Sequence, residues 1–193
     1  MLTKKIAVLF SGGGSNLEAI LQRLHGKVFG ETKIEVALTL TNKANAGGIA
    51  KAAKYGLKSV VIEHVNFASR EEFDTAVVEE IKRANVDLTV LAGFMRILTP
   101  VFTSQVRAIN LHPSLLPLFK GAHAIKESFD SDMKVGGVSV HWVSEELDGG
   151  KIIAQRAFEK SARMSLEEFE AKIHAIEHEI LPETIVQILT DKE

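Results

Sequence analysis

Cysteine is absent from the 193 residues. That excludes disulfides, thiolate metal sites and a cysteine nucleophile together. A basic excess is missing too. Lys and Arg number 23 against 25 Asp and Glu, for a formal charge of −2, so net charge points to no nucleic-acid-coating surface. No apolar run approaches the ~20 residues that a membrane-spanning helix needs. The opening MLTKKIAVLFSGGG pairs two lysines with an apolar run, as a signal peptide does. The run is short and ends in glycines, and it reads as a first strand. Internal repeats, low-complexity tracts and linker-like stretches are also lacking. What remains is the balance of an ordinary globular chain, 46 % hydrophobic and 25 % charged. It is long enough for one domain with a substantial core, cytoplasmic by default.

Short apolar runs alternate with helical patterns. Residues 5–10, 35–41, 57–63, 87–93 and 108–112 read as strands, the first a continuous apolar run suited to burial on both faces. Between them, Leu17, Ile20, Leu21 and Leu24 mark one face of a helix, and residues 47–56 a short second one. Phe73, Val77, Ile81 and Ala84 mark a third, opened by Ser69 and Glu72 at capping-box spacing. Thr99-Pro100 predicts an N-cap followed by an N1 proline. Residues 136–143 and 151–158 are two late strands with no helix between them, expected to be antiparallel. Ser165 and Glu168 open a last helix to about 189, which Pro182 should break or kink. The alternation predicts an α/β fold: a Rossmann-like, mostly parallel twisted sheet with helices on both faces and antiparallel late strands. In such sheets ligands bind beyond the carboxyl ends of the strands. That rule puts SGGGSN, LAGFMRIL and NLHPS on one rim.

SGGGSNLE joins the first strand to the first helix, with Ser15 as expected N-cap and Glu18 at the capping-box position. Two readings stand: a tight turn that needs glycines, or backbone amides that cradle a phosphate. A P-loop is excluded because the Gly-Lys-Ser/Thr ending is missing. A dinucleotide fingerprint fails because Leu17 stands where a third glycine belongs, and Thr41-Asn42-Lys43 offers no acid for a ribose.

In INLHPSLLP, Asn110 and His112 are two apart on a strand and face one space, and Pro113 ends the ladder. An amide donor beside an imidazole suits a carbonyl that becomes an oxyanion, with a proton to move. Asp148, in LDGG, is the candidate carboxylate to favour the imidazolium of His112. The alternative is a strand cap and a turn former. His123 follows the same rim, and His141 alternates with Val140 and Trp142 as a sheet-surface residue would. His174 and His178 are four apart on a helix, metal-compatible spacing without a third ligand, and read as a surface pair.

SGGGSNL, LAGFMRIL, NLHPSLLP and GVSVHWVSEELDGG occur in that order and together resemble the phosphoribosylglycinamide formyltransferase family of folate-dependent enzymes. The likeness runs from residue 5 to about residue 182. HPSLLP marks the wider superfamily, while the GSNL loop and Glu177-His178 point to the ribonucleotide branch. The resemblance implies one formyltransferase domain over 1–193, with a nucleotide-binding half over about 1–100 and a folate and catalytic half over about 101–193. It implies formyl transfer from 10-formyltetrahydrofolate, a co-substrate, to the amine of 5-phosphoribosylglycinamide in purine biosynthesis, with no metal. By the same resemblance Asn110, His112 and Asp148 are catalytic. Gly14, Ser15, Asn16 and Glu177 hold the ribonucleotide, and Arg70, Met95, Arg96, Ile97, Leu98 and Asn110 meet folate. Read without it, Met95, Ile97 and Leu98 are ordinary core or rim packing. The implied partners are small molecules, with no nucleic acid and no membrane, for a monomer or homodimer. LFKGAHAIKESF departs from the family pattern at Ile125, Lys126 and Phe129, which leaves the contacts of His123 open.

Four rival readings remain. A methionyl-tRNA formyltransferase is expected to carry an RNA-binding domain. A formyltetrahydrofolate hydrolase is expected to carry an N-terminal regulatory domain. A non-catalytic nucleotide-binding module would keep the glycine loop without needing Asn110, His112 and Asp148 together. A metallohydrolase would use His112, His123, His141 and Asp148.

Overall fold

A computed structural model describes residues 1–191; the last two positions of the expected 1–193 span lie outside the described residues. The strands in chain order are β1 (Leu2–Phe10), β2 (Lys27–Phe29), β3 (Thr32–Thr41), β4 (Val60–Val61), β5 (Leu88–Leu91), β6 (Ala108–His112), β7 (Val135–Trp142) and β8 (Ile152–Glu159). The helices are α1 (Ser15–Leu24), α2 (Gly48–Ala53), α3 (Arg70–Ala84), α4 (Pro100–Thr103), α5 (Ala124–Asp130) and α6 (Leu166–Thr190). The strands form one sheet in the order β2-β3-β1-β5-β6-β7-β8, with β4 also beside β3. Pairing is parallel from β3 through β6 and antiparallel for β6-β7 and for β7-β8, the latter as the missing helix between those two strands implies.

Both faces are covered, which is why the second half of β1, Ile6 to Phe10, is apolar throughout. Ile6, Val8 and Phe10 of β1 point to the layer of α1 and α6, while Ala7 and Leu9 point to that of α3 and α4. The expected helix faces are the buried ones: Leu17, Ile20, Leu21 and Leu24 of α1, and Phe73, Val77 and Ile81 of α3. Each such side chain contributes about 1.5–3 kcal/mol of burial. In β3 the face switches midway. Ile6 pairs with Val36 but Ala7 with Leu38, so Ala37 is bulged out. Ile34 and Val36 therefore face one layer, and Leu38 and Leu40 the other.

Three local expectations are corrected. Gly14, not Ser15, caps α1: its φ of 70° is left-handed, and Glu18 reaches across to Lys51 at 2.8 Å instead of back to the helix start. Pro182 does not break α6, which runs through it as one helix. Pro182 withholds one N–H from the ladder, but Ile180, Leu181, Ile185 and Leu189 are buried around it and hold the helix in place. The third strand shrinks to β4, whose two residues have only the end of β3 to pair with. The box at Ser165 and Glu168 forms in full. At α3 the Ser69 hydroxyl accepts from Glu72 N–H, but Glu72 caps Ala68 N–H instead.

Candidate active site

The carboxyl ends of β1, β5 and β6 lie side by side, since these strands are neighbours and parallel. A cleft of about 480 Å³ opens there. Its walls bring together Asn16 from the start of α1, Met95, Arg96, Ile97 and Leu98 after β5, and Asn110 and His112 from β6. Asp148 from the β7-β8 turn and His174 and Glu177 from α6 complete them.

Asn110 and His112 face one space, as the strand period requires. His112 is 4 % exposed. Its Nε2 lies 2.7 Å from the Phe119 carbonyl oxygen, an acceptor only, so Nε2 carries a hydrogen. Nδ1 is left toward Asp148 Oδ2 at 3.5 Å. The Phe119 carbonyl is itself positioned: Ser114 Oγ donates to it and to the Leu118 carbonyl. The Ser139 hydroxyl donates to the Ser114 carbonyl and accepts from Leu116 N–H and Gln155 Nε2. The HPSLLP turn is thus held by the two antiparallel strands.

Asp148 sits at φ 51°, which the short polar side chain tolerates, and this turns its carboxylate inward. Gly121 N–H donates to Oδ2 at 2.9 Å, and Asn110 Nδ2 donates to Oδ1 at 3.4 Å. Burial pushes this carboxyl's pKa up. Hydrogen bonding from the His141 ring and from Gly121 N–H, with the charge of the His112 and His141 rings, pulls harder, and the net shift is below the ordinary 3.8. Asp148 is therefore ionised at neutral pH.

His141 was the residue the sequence undervalued. It does not lie on an open sheet surface but is 2 % exposed, paired across the ladder with Asn110. Its Nδ1 donates to the Trp142 carbonyl at 2.9 Å. Its Nε2 stands 3.2 Å from Asn110 Nδ2 and 3.6 Å from Asp148 Oδ1. A neutral ring accepts from Asn110 there, and a charged one donates to Asp148. In SVHW, Ser139 and His141 are two apart and share one side of β7, but only the β6-β7 register sets His141 opposite Asn110 and Ser139 opposite His112.

At the far end of the cleft, Glu177 is 5 % exposed and binds Asn16 Nδ2 at 3.2 Å and His174 Nδ1 at 2.9 Å. That hydrogen bond, opposed by burial, raises the His174 pKa above 6.5. His174 and His178 differ in their surroundings. Burial lowers the His178 pKa, and its Nε2 has no partner among the described residues. Gly14 and Ser15 do not line the cleft themselves; they precede Asn16, which does, at the helix start, where N–H groups lack intrahelical partners. A side chain at Gly14 would lie 2.6 Å from the Gly48 Cα, so the loop packs on the start of α2.

Arg70 and His123 are both exposed, at the first turn of α3 and before α5, and neither lines the cleft, where Gly121, Ala122 and Ile125 do. Met95 and Ile97 are exposed lips rather than core. Among the described residues, no group of three or more His, Asp or Glu is arranged to hold a metal ion.

The sequence pattern of the family described as Formyl transferase matches residues 4–185. A crystal structure of phosphoribosylglycinamide formyltransferase from Campylobacter jejuni superposes with a TM-score of 0.96 at 64 % identity, covering 98 % of this chain and 99 % of that one. The Bacillus subtilis phosphoribosylglycinamide formyltransferase is 37 % identical over 188 residues, 96 % of this chain and 95 % of its own length. The trifunctional purine biosynthetic protein adenosine-3 of Chironomus tentans is 39 % identical over 184 residues, but this chain spans only 13 % of its length.

Proposed function

The chain belongs to the formyl transferase family, and from that premise we propose that it moves the formyl group of 10-formyltetrahydrofolate onto the amine of 5-phosphoribosylglycinamide. The observation that carries this reading is the convergence of Asn110, His112 and Asp148 in one cleft that also holds the Asn16–Glu177 pair.

The amine attacks the formyl carbon, a C–N bond forms, and the carbonyl oxygen becomes an oxyanion. Asn110 donates to that oxygen. Its 3.4 Å contact with Asp148 is the weaker of its two hydrogen bonds and the one the oxyanion displaces. His112, held through Nε2, uses Nδ1 for the proton, and ionised Asp148 stabilises the imidazolium. Collapse breaks the bond from the formyl carbon to the folate nitrogen. The proton lost by the amine goes to that nitrogen through His112, so no net proton is consumed.

Gly14, Ser15 and Asn16 hold the phosphate at the start of α1, where unpaired N–H groups and the helix dipole favour an anion. Glu177 takes the amine end of the ribonucleotide. Met95, Ile97 and Leu98 wall the pterin, and Arg96 and Arg70 meet the acidic tail. Arg70 does so from outside the cleft, as an exposed side chain reaching the tail. One domain does all of this, and the first and second halves of the chain share both ligands. The enzyme works on small molecules in the cytoplasm as a monomer or homodimer, without nucleic acid or membrane. Among the described residues no helix is long and apolar enough to cross a membrane.

The test is a spectrophotometric assay of 10-formyl folate with and without glycinamide ribonucleotide, in chelator. Ribonucleotide-dependent loss of formyl folate is expected. Loss without ribonucleotide would make the protein a hydrolase, and ribonucleotide binding without turnover would make it a binding module.

A further inference from the structure

The residues from 92 to 99, between β5 and α4, carry the proposed folate wall without helix or strand of their own. Their backbone groups need partners elsewhere. Packing does not hold the lips, since Met95 and Ile97 are 61 % and 57 % exposed. Polar anchors do. Ser11 N–H donates to the Gly93 carbonyl at 3.0 Å, and Ser11 Oγ accepts from Met95 N–H at 2.8 Å. At the other end Asp74 Oδ2 accepts from Thr99 N–H at 2.6 Å and Thr99 Oγ1 at 2.7 Å.

The Ser11 anchor continues inward. Its hydroxyl donates to Asn42 Oδ1 at 2.6 Å, and Asn42 Nδ2 stands 3.2 Å from His64 Nδ1. The bonds run in one direction, from Met95 N–H to Ser11, from Ser11 to Asn42 and from Asn42 to His64, with each donor used once. Such a chain polarises its members and fixes their rotamers. Ser11 and Asn42 are 3 % and 2 % exposed, and neither lines the cleft. Asn42 follows β3 at the place where a dinucleotide site would have an acid, and SGGG opens with Ser11; neither has a part in the chemistry above.

Resting on the folate reading of Met95 to Leu98, we infer that Ser11 and Asn42 are positioning residues for folate. They preset the first half of the wall through Met95 N–H while touching no substrate. The ribonucleotide end of the cleft is built on other contacts, so its affinity is independent of the chain.

The experiment measures binding of 5-formyltetrahydrofolate, a ligand with the same ring and tail, and of glycinamide ribonucleotide to the whole protein. Ser11→Ala leaves Met95 N–H without its acceptor. Folate affinity is expected to fall about tenfold and ribonucleotide affinity to stay within about twofold, which also certifies the fold. Asn42→Leu should match it. Asn42→Asp, which keeps an acceptor for the Ser11 hydroxyl, should restore folate affinity to within about threefold of wild type. Unchanged folate affinity in Ser11→Ala, with wild type binding folate, would overturn the chain and leave the folate site standing. Equal loss of both ligands would reduce Ser11 to a general structural role and overturn the inference. Wild type that binds ribonucleotide but no folate would overturn the folate reading itself, and the inference with it.

Discussion

Replacing Asp148 by Asn removes the charge beside His112 and replaces the Oδ1 acceptor facing Asn110 Nδ2 and His141 Nε2 with an amide donor. The position has φ 51°, which Asn accepts nearly as well as Asp, whereas Ala would add backbone strain of about 1–2 kcal/mol. The amide oxygen can still take Gly121 N–H. What disappears is the attraction between the carboxylate and an imidazolium with Nδ1 3.5 Å away, both side chains being at most 7 % exposed. At an effective dielectric of ~20 that attraction is about 5 kcal/mol gross. The amide dipole and water in the open cleft recover part of it, and about 3 kcal/mol of transition-state stabilisation is lost. The expected kcat is therefore about 10²-fold below wild type, with the KM for both substrates changed much less. Steady-state kinetics with each substrate varied in turn reads this, and unchanged far-ultraviolet circular dichroism shows the fold intact. A variant within about fivefold of wild-type kcat would refute the claim that Asp148 charges His112.

Asn110→Ala removes the proposed oxyanion donor and should cost about 3–4 kcal/mol in kcat/KM, carried by kcat; a fall in substrate affinity alone would contradict the role. Gly14→Ala forces a Cβ to within 2.6 Å of the Gly48 Cα at a φ of 70°. Calorimetry should show ribonucleotide affinity lost, and a thermal melt should show destabilisation by about 2 kcal/mol or more. The His174–Glu177 bond raises the histidine pKa above 6.5, so its stabilisation is complete below that value and is lost as pH rises through the raised folded pKa. The Tm difference between wild type and His174→Gln should be largest below pH 6.5 and shrink as pH rises through the raised folded pKa. Asp148 has the opposite sign. Its lowered pKa stabilises the protein above 3.8, and that contribution should vanish on acidification through the folded value, read as convergence of wild-type and Asp148→Asn melting temperatures in acid.

The sequence alone determined whatever is written in short periods. Apolar runs and the 3.6-residue spacing of Leu17 to Leu24 and Phe73 to Ile81 located the strands and helix faces, because burial selects residues locally. The period of two put Asn110 and His112 on one side before any contact was known, and the lack of a helix between β7 and β8 implied their antiparallel pairing. The order of motifs reached the family. Tertiary structure decided what depends on residues far apart in the chain. Asn16 meets Glu177 across 161 positions, and Asn110 meets Asp148 across 38, because β1, β5 and β6 end on one rim and α6 packs against α1. The place of His141 depended on the β6-β7 register, which no single strand encodes. The bulge at Ala37, the Gly14 cap and the unbroken passage of α6 through Pro182 likewise follow from neighbours. At each, packing against a second element outweighs the local preference of one or two residues.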